Sequence, residues 1–110
     1  MAASVPQIVY SNSWLSQTGN ISSTTMVTPS QIGMYRASVY TDVASTGTVD
    51  VSFGYTDDHG SQNTLYGGNG QSVGLSYVFE AVSGQPITVS FTIGGTPTFN
   101  AYVVLESLLP

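Results

Sequence analysis

Residues 86–105 have the sequence PITVSFTIGGTPTFNAYVVL, which predicts two long strands joined by a tight turn. In the first half, large apolar residues alternate with threonine and serine, and this period of two places the apolar side chains on one face of a strand. The central Gly94-Gly95-Thr96-Pro97 has turn composition, because glycine adopts positive φ and proline ends strand pairing.

The second of these strands is apolar on both faces. One face carries an alternating set of four residues, Phe99, Ala101, Val103 and Leu105. The other face carries Tyr102 and Val104. A strand of this kind is expected to be covered twice, by its own core and by something else. The sequence therefore predicts an interaction surface around Tyr102 and Val104.

The same alternation recurs upstream, with turn signals at intervals of about 10–12 residues. It predicts strands at residues 21–29, 34–43, 48–56, 61–66 and 73–81. Counting short strands, we expect eight in all, and we find no helical periodicity of sufficient length. This pattern predicts an all-β, antiparallel sandwich or barrel.

Residues 1–19 predict an N-terminal arm that precedes a single domain at residues 20–110. Such arms are poorly ordered unless they dock. The candidate docking residues are Ile8, Tyr10, Trp14 and Leu15. Trp14 has two interpretations: it anchors the arm on a neighbouring protein, or it closes the bottom of the domain's own core.

Composition limits the possible partners. Only 6% of residues are charged, against roughly 25% in ordinary soluble domains, and the net charge is −5. With Arg36 as the only basic residue besides His59, the chain lacks the clustered cations that bind phosphates, so we expect neither nucleic acid nor an anionic membrane as partner. The absence of cysteine excludes disulfides and thiolate metal sites.

The surface must be built from hydroxyls and amides. This composition suits permanent burial against neighbouring chains, although some extracellular β-proteins also stay soluble with an acidic, hydroxyl-rich surface. The N-terminal sequence lacks the basic and apolar regions of a signal peptide. We therefore expect synthesis and folding in the cytoplasm.

Three segments resemble small jelly-roll domains of phage virions: residues 33–40 (GMYRASVY), 55–58 (YTDD) and 99–106 (FNAYVVLE). The arrangement is similar to the trimeric tumour-necrosis-factor and C1q type, over about residues 20–107. In that family an early strand begins with a Gly-x-Tyr-Arg type of entry, and the last strand packs along the threefold axis. The resemblance implies an eight-stranded jelly-roll β-sandwich and a homotrimeric virion structural protein, such as a capsid decoration protein or a fibre or spike head.

The expected subunit interface follows from the outward-facing apolar residues and from the lone arginine. It comprises Tyr40, Val78, Tyr102 and Val104, together with Arg36 and Glu106. Two partners are open for Arg36, namely Asp50 on an adjacent strand and Glu106 near the axis. The arm is expected to reach a capsid or tail protein.

Catalysis and metal binding are not expected. Asp57-Asp58-His59-Gly60 clusters potential ligands, but Ca²⁺ takes six to eight oxygens, and hairpin-turn chemistry explains the same residues. His59 is the only histidine, and no nucleophile-elbow motif accompanies it. We therefore predict no enzyme, cofactor or metal.

The alternative function is a carbohydrate-binding module of a tail fibre or secreted protein. Tyr10, Tyr40, Tyr66 and Tyr102 fall outside the clear inward-facing sets. Tyrosine rings stack on the apolar faces of sugars while amides bond the rim. Tyrosine is also enriched in protein interfaces, so this alternative stays open.

Overall fold

The computed structural model describes residues 5–44, 46–66 and 73–108, with only the backbone at residues 65, 66 and 73. The regular structure of the described residues consists of β-strands. They are β1 (Gln7–Gln17), β2 (Ile21–Val27), β3 (Gly33–Val43), β4 (Gly47–Asp57), β5 (Gly60–Tyr66), β6 (Val73–Ala81), β7 (Ile87–Gly95) and β8 (Phe99–Ser107). The prediction of an all-β fold is confirmed.

The strands form two four-stranded antiparallel sheets that face each other as a β-sandwich. Sheet 1 has the order β1-β8-β3-β6, and sheet 2 has the order β2-β7-β4-β5. The pairing is nested, because β1 pairs with β8, β2 with β7, β3 with β6 and β4 with β5. The pairs β3–β8 and β4–β7 complete the two sheets.

Most of the predicted N-terminal arm is a strand of sheet 1. β1 pairs with β8 from Gln7, opposite Ser107, to Gln17, opposite Phe99. Its register shifts twice along this length, and Ser16 has a φ of 53°. These irregularities interrupt the alternation by which the other strands are recognised. The structure thus differs from the prediction of a separate arm, since residues 7–17 lie within the sandwich.

The core between the sheets depends most on β7 and β8. The largest fully buried side chains are Phe53, Phe91, Phe99, Ile87, Leu105, Val89, Val103 and Pro97. All of these except Phe53 come from residues 86–105. Burial of each such large apolar side chain contributes roughly 1.5–3 kcal/mol.

β7 and β8 do not pair with each other, although they follow one another in the chain. β7 lies between β2 and β4 in sheet 2, whereas β8 lies between β1 and β3 in sheet 1. The turn at residues 96–98 therefore carries the chain from one sheet to the other. Each strand is central in its sheet, so the two together supply apolar side chains to both walls of the core.

Aromatic rings connect the sheets on one side of the core. The centroid of the Tyr55 ring lies 4.4 Å from that of Phe79, and the hydroxyls of Tyr55 and Tyr77 are hydrogen-bonded at 2.8 Å. Tyr55 belongs to β4 of sheet 2, and the other two residues belong to β6 of sheet 1. Burial, followed by the hydrogen bond to Tyr77, raises the pKa of Tyr55 to about 12.

Alkaline pH should weaken the fold through Tyr55. The folded state holds the phenolic proton of Tyr55 more tightly than the unfolded state does. The stabilisation that this protonated phenol contributes is therefore complete below pH of about 10 and is lost as pH rises through about 12. Tyr55→Phe should reduce this alkaline loss of stability, measured by urea unfolding between these values. Tyr40→Phe, which alters an exposed ring, is the control and should behave like the parent. If the free energy of unfolding fell with pH equally steeply in Tyr55→Phe and in the parent, Tyr55 would not be the cause of the alkaline effect.

The turn between the sheets packs against the start of β4. Gly47 has a φ of 143° and pairs with Gly95, whose φ is 78°. A Cβ atom on Gly47 would lie 2.7 Å from the carbonyl oxygen of Gly94 and 2.7 Å from Cδ of Pro97. Because these neighbours are backbone and a proline ring, they cannot move away as a flexible side chain would.

Gly47→Ala should therefore destabilise the protein by at least about 2 kcal/mol, since it adds steric overlap to an unfavourable φ. Gly60→Ala is the matched control, because Gly60 has a φ of 114° but open space around it. We expect that control to cost about 1 kcal/mol. Urea denaturation measures both, and equal losses would show that the close contact at Gly47 is unimportant.

Candidate functional site

The outward-facing residues of sheet 1 include three rows that cross all four strands. From β1 to β6 the rows are Ile8–Glu106–Arg36–Val78, Ser11–Val104–Ser38–Ser76 and Ser13–Tyr102–Tyr40–Gly74. We call these twelve residues the outer face of sheet 1. The face arises from alternation, because every second residue of β3, β6 and β8 points into the core.

All six residues predicted for the subunit interface lie on this outer face. Its exposed apolar side chains include Tyr40, Val78 and Tyr102, with exposed fractions of 47%, 49% and 41%. Val104 is half-buried on the same face, and its neighbour Val103 lies in the core at 1% exposure. The sequence thus identified a contiguous surface, and the role of that surface as a subunit interface stays a prediction.

Two tyrosines form the aromatic part of the outer face. Tyr40 and Tyr102 are directly opposite on β3 and β8, with ring centroids 6.4 Å apart and planes inclined by 30°. Gly74 follows on β6, where a Cβ would lie only 3.4 Å from Cδ1 of Tyr40. Glycine therefore leaves the β6 side of the Tyr40 ring uncovered. Such a pair can pack against a protein or stack on a sugar.

The other tyrosines considered for sugar binding do not join this pair. Tyr10 packs against the core from β1, and its hydroxyl accepts a hydrogen bond from Nδ2 of Asn12 at 2.9 Å. Tyr66 lies outside the residues whose side chains the structure describes. A concave region of about 460 Å³ adjoins Tyr102 and Val104, and Ser11 and Ser13 of β1 also line it.

Arg36 is paired with Glu106 in the first row. Its Nε donates to Oε1 of Glu106 at 2.9 Å, and this hydrogen bond and the negative charge raise the pKa of Arg36. The other predicted partner, Asp50, belongs to β4 of sheet 2. The pair lies between Ile8 on β1 and Val78 on β6, so it brings a neutralised charge to the outer face.

The four predicted docking residues of the arm divide between core and surface. Trp14 packs edge-on against Phe91 with ring centroids 5.4 Å apart, and Tyr10 also packs on the core. This agrees with the interpretation in which Trp14 closes its own core. Ile8 and Leu15 remain exposed, at 66% and 57%. Only these two are available for contact with another protein.

The hairpin turn between β4 and β5 holds the acidic cluster. One potential ligand atom from each of Asp57, Asp58 and His59 lies within 4.8 Å of the others. The backbone N of His59 donates to Oδ1 of Asp57 at 2.8 Å, and Nδ1 of His59 is 2.9 Å from Oδ1 of Asp58. These are the contacts of an Asp-stabilised turn, and three ligands fall short of a Ca²⁺ shell.

Comparison with known proteins adds no relative from which a function could be taken. No known family model matches the chain, and no curated protein matches it significantly. Within the part of the chain that the structure describes, no helix has the length and apolar character needed to cross a membrane.

Proposed function

We propose that this chain is a non-enzymatic virion structural protein that assembles as a homotrimer through the outer face of sheet 1. In the virion it would act as a capsid decoration protein or as a fibre or spike head. The observation that carries this proposal is the grouping of Tyr40, Val78, Tyr102 and Val104 on one face. Tyr40, Tyr102 and Val104 adjoin one another, whereas Arg36, Ser38 and Ser76 separate them from Val78. Exposed apolar side chains gathered on one face of a small domain are characteristic of an interaction site.

The strand order supports a jelly roll as the finer description of the fold. β1 to β4 pair in reverse order with β8 to β5, as in a long antiparallel ribbon folded across itself. Jelly rolls have eight strands in two sheets and are common in viral capsid proteins. This likeness to the trimeric jelly rolls is the reason for proposing a trimer rather than another oligomer.

The whole outward side of sheet 1, with the outer face at its centre, is large enough for a stable contact. Strands about 4.8 Å apart and about nine residues long at 3.3 Å per residue give this side of the sheet roughly 570 Å² in projection. The accessible surface of such a face exceeds its projection, so it approaches the roughly 800 Å² per partner that stable interfaces bury. The size of the face therefore does not limit the proposal.

The distribution of charge favours burial of this face. Three of the six acidic residues, Asp50, Asp57 and Asp58, belong to β4 and the turn after it, away from sheet 1. On the outer face itself, Glu106 is paired with Arg36, and the other two rows are uncharged. The remaining two acidic residues, Asp42 of β3 and Glu80 of β6, are exposed on the same side of sheet 1, just beyond the two ends of the rows. A contact centred on the three rows would therefore bury no unpaired charge, provided that Asp42 and Glu80 stay at its solvent-exposed rim.

A second partner, a capsid or tail protein, fits the exposed residues of β1. Val9 and Leu15 are exposed along this edge strand and Val5 precedes it, whereas Ile8 belongs to the proposed trimer face. Unpaired edge strands present backbone groups that other proteins can bind. We therefore assign the partner contact to the β1 edge rather than to a flexible arm.

The first test separates assembly from folding. Val104→Asp should convert the trimer into a folded monomer, because it puts a charge into the contact without entering the core. Val103→Asp should unfold the domain, and Thr92→Asp, on the exposed face of sheet 2, should leave the trimer intact. Sedimentation and circular dichroism measure both properties. A parent protein that is monomeric at micromolar concentration would remove the proposal.

A second test uses the charge pair. If trimer contact covers Arg36 and Glu106, either Arg36→Glu or Glu106→Arg alone should weaken the trimer at least about tenfold, because like charges would then be buried together. The double exchange restores an opposite pair and should recover most of the affinity. If the double variant dissociates as readily as the single variants, the pair does not lie in the contact.

A further inference from the structure

A shallow cleft crosses the outer side of sheet 2, on the far side of the sandwich from the proposed assembly face. It lies where β4 and β5 meet the segment before β7 and has a volume of about 350 Å³. Its polar lining comes from three stretches of chain: Thr56 in β4, residues 61–63 in β5, and Gln85 and Thr88 around the start of β7. This size is at the lower end of the range of about 300–1,000 Å³ for ligand sites.

Gly54 shapes the floor of the cleft. It pairs with Thr88 of β7 on one side and with Asn63 of β5 on the other. A Cβ at Gly54 would lie 2.6 Å from Oγ1 of Thr88, so any side chain there would displace the threonine hydroxyl. The glycine therefore keeps the floor flat and allows the Thr88 hydroxyl to lie over it.

The polar groups around this floor are uncharged, and one of them is oriented by a neighbour. Oγ of Ser52 donates to Oδ1 of Asn63, which leaves Nδ2 of Asn63 as the group that can donate to a ligand. Ser61 and Asn63 are exposed, and Thr88 is half-buried. Pro86 adds an apolar wall beside these donors and acceptors.

We propose that this cleft binds a neutral oligosaccharide, with one or two sugar rings seated between Pro86 and Asn63, above the Thr88 hydroxyl that covers Gly54. Vicinal sugar hydroxyls match a dense set of hydroxyls and amides, and Pro86 offers apolar surface to the C–H face of a ring. Asp50 and Asp57 lie in β4, the strand that contains Gly54, and their negative charges disfavour anionic ligands. Arg36, the chain's one lysine- or arginine-type cation, lies on sheet 1.

The proposal is independent of the trimer. A contact through sheet 1 would leave the outer side of sheet 2 exposed, and an isolated chain would expose it equally. The carbohydrate-binding function suggested by the tyrosines is thereby assigned to a different surface from Tyr40 and Tyr102. A shallow, polar cleft without an aromatic platform predicts weak binding, with a Kd of about 1 mM per site.

Nuclear magnetic resonance titration of the full chain tests the site. The probes are maltotriose, cellotriose and triacetylchitotriose, with sialyllactose as an anionic comparator. We expect at least one neutral trisaccharide to cause saturable shifts at the amides of Gly54, Asn63 and Thr88. No saturable shift up to about 20 mM, shifts with sialyllactose alone, or shifts centred on Tyr40 and Tyr102 would each overturn the proposal.

Matched variants then test the contact itself. Thr88→Val keeps the shape but removes the hydroxyl, so it should weaken binding about fivefold, within the range expected for one hydrogen bond. Thr92→Val, four residues further along the same face of β7, should change Kd less than about twofold. If Thr88→Val and Thr92→Val changed Kd equally, the sugar would not bind at Thr88 and the proposed site would be wrong. Val104→Asp should leave Kd per chain unchanged, so failure of the trimer and failure of the sugar site are distinguished.

Discussion

The packing of β8 between β1 and β3 is the interaction on which the rest of the structure depends. Its inward residues, from Phe99 to Leu105, are almost completely buried and are paired with those of both neighbouring strands. Its outward residues Tyr102 and Val104 form the middle of the outer face of sheet 1. One strand therefore contributes to folding through one side and to the proposed assembly through the other.

Alternation was sufficient to predict most of the fold from the sequence. β3, β4 and β6 have strict period-two patterns, and the face assignment of Val103 and Val104 follows directly from this pattern. The same rule predicts that Tyr40, Val78 and Tyr102 face outward, although it does not say that their strands join one sheet. Alternation works here because the fold has one core and each central strand has one buried side.

Features that depend on interruptions or on distant pairing could not be predicted in this way. Register shifts hide β1, and Gly94-Gly95-Thr96-Pro97 has the composition of a turn whether the chain returns to the same sheet or crosses to the other. The partner of Arg36 was ambiguous, because the sequence does not say which sheet Asp50 joins. The sheet 2 cleft was missed, since its residues become neighbours only through the pairing of Gly54 with Thr88 and Asn63.

The two-sided apolar character of β8 raises the question of how its register is fixed. A slip by one residue would exchange the core set and the outer set, and such slips are resisted poorly when both sets are apolar. Polar contacts near the two ends of β8 fix its register. Glu106 accepts a hydrogen bond from Arg36 of β3, and Oδ1 of Asn100 accepts one from the backbone N of Ser16 in β1. A one-residue slip would break both contacts and would turn Glu106 towards the core. The Arg36–Glu106 pair therefore has a function within the single chain, apart from any part it plays in the proposed contact between copies.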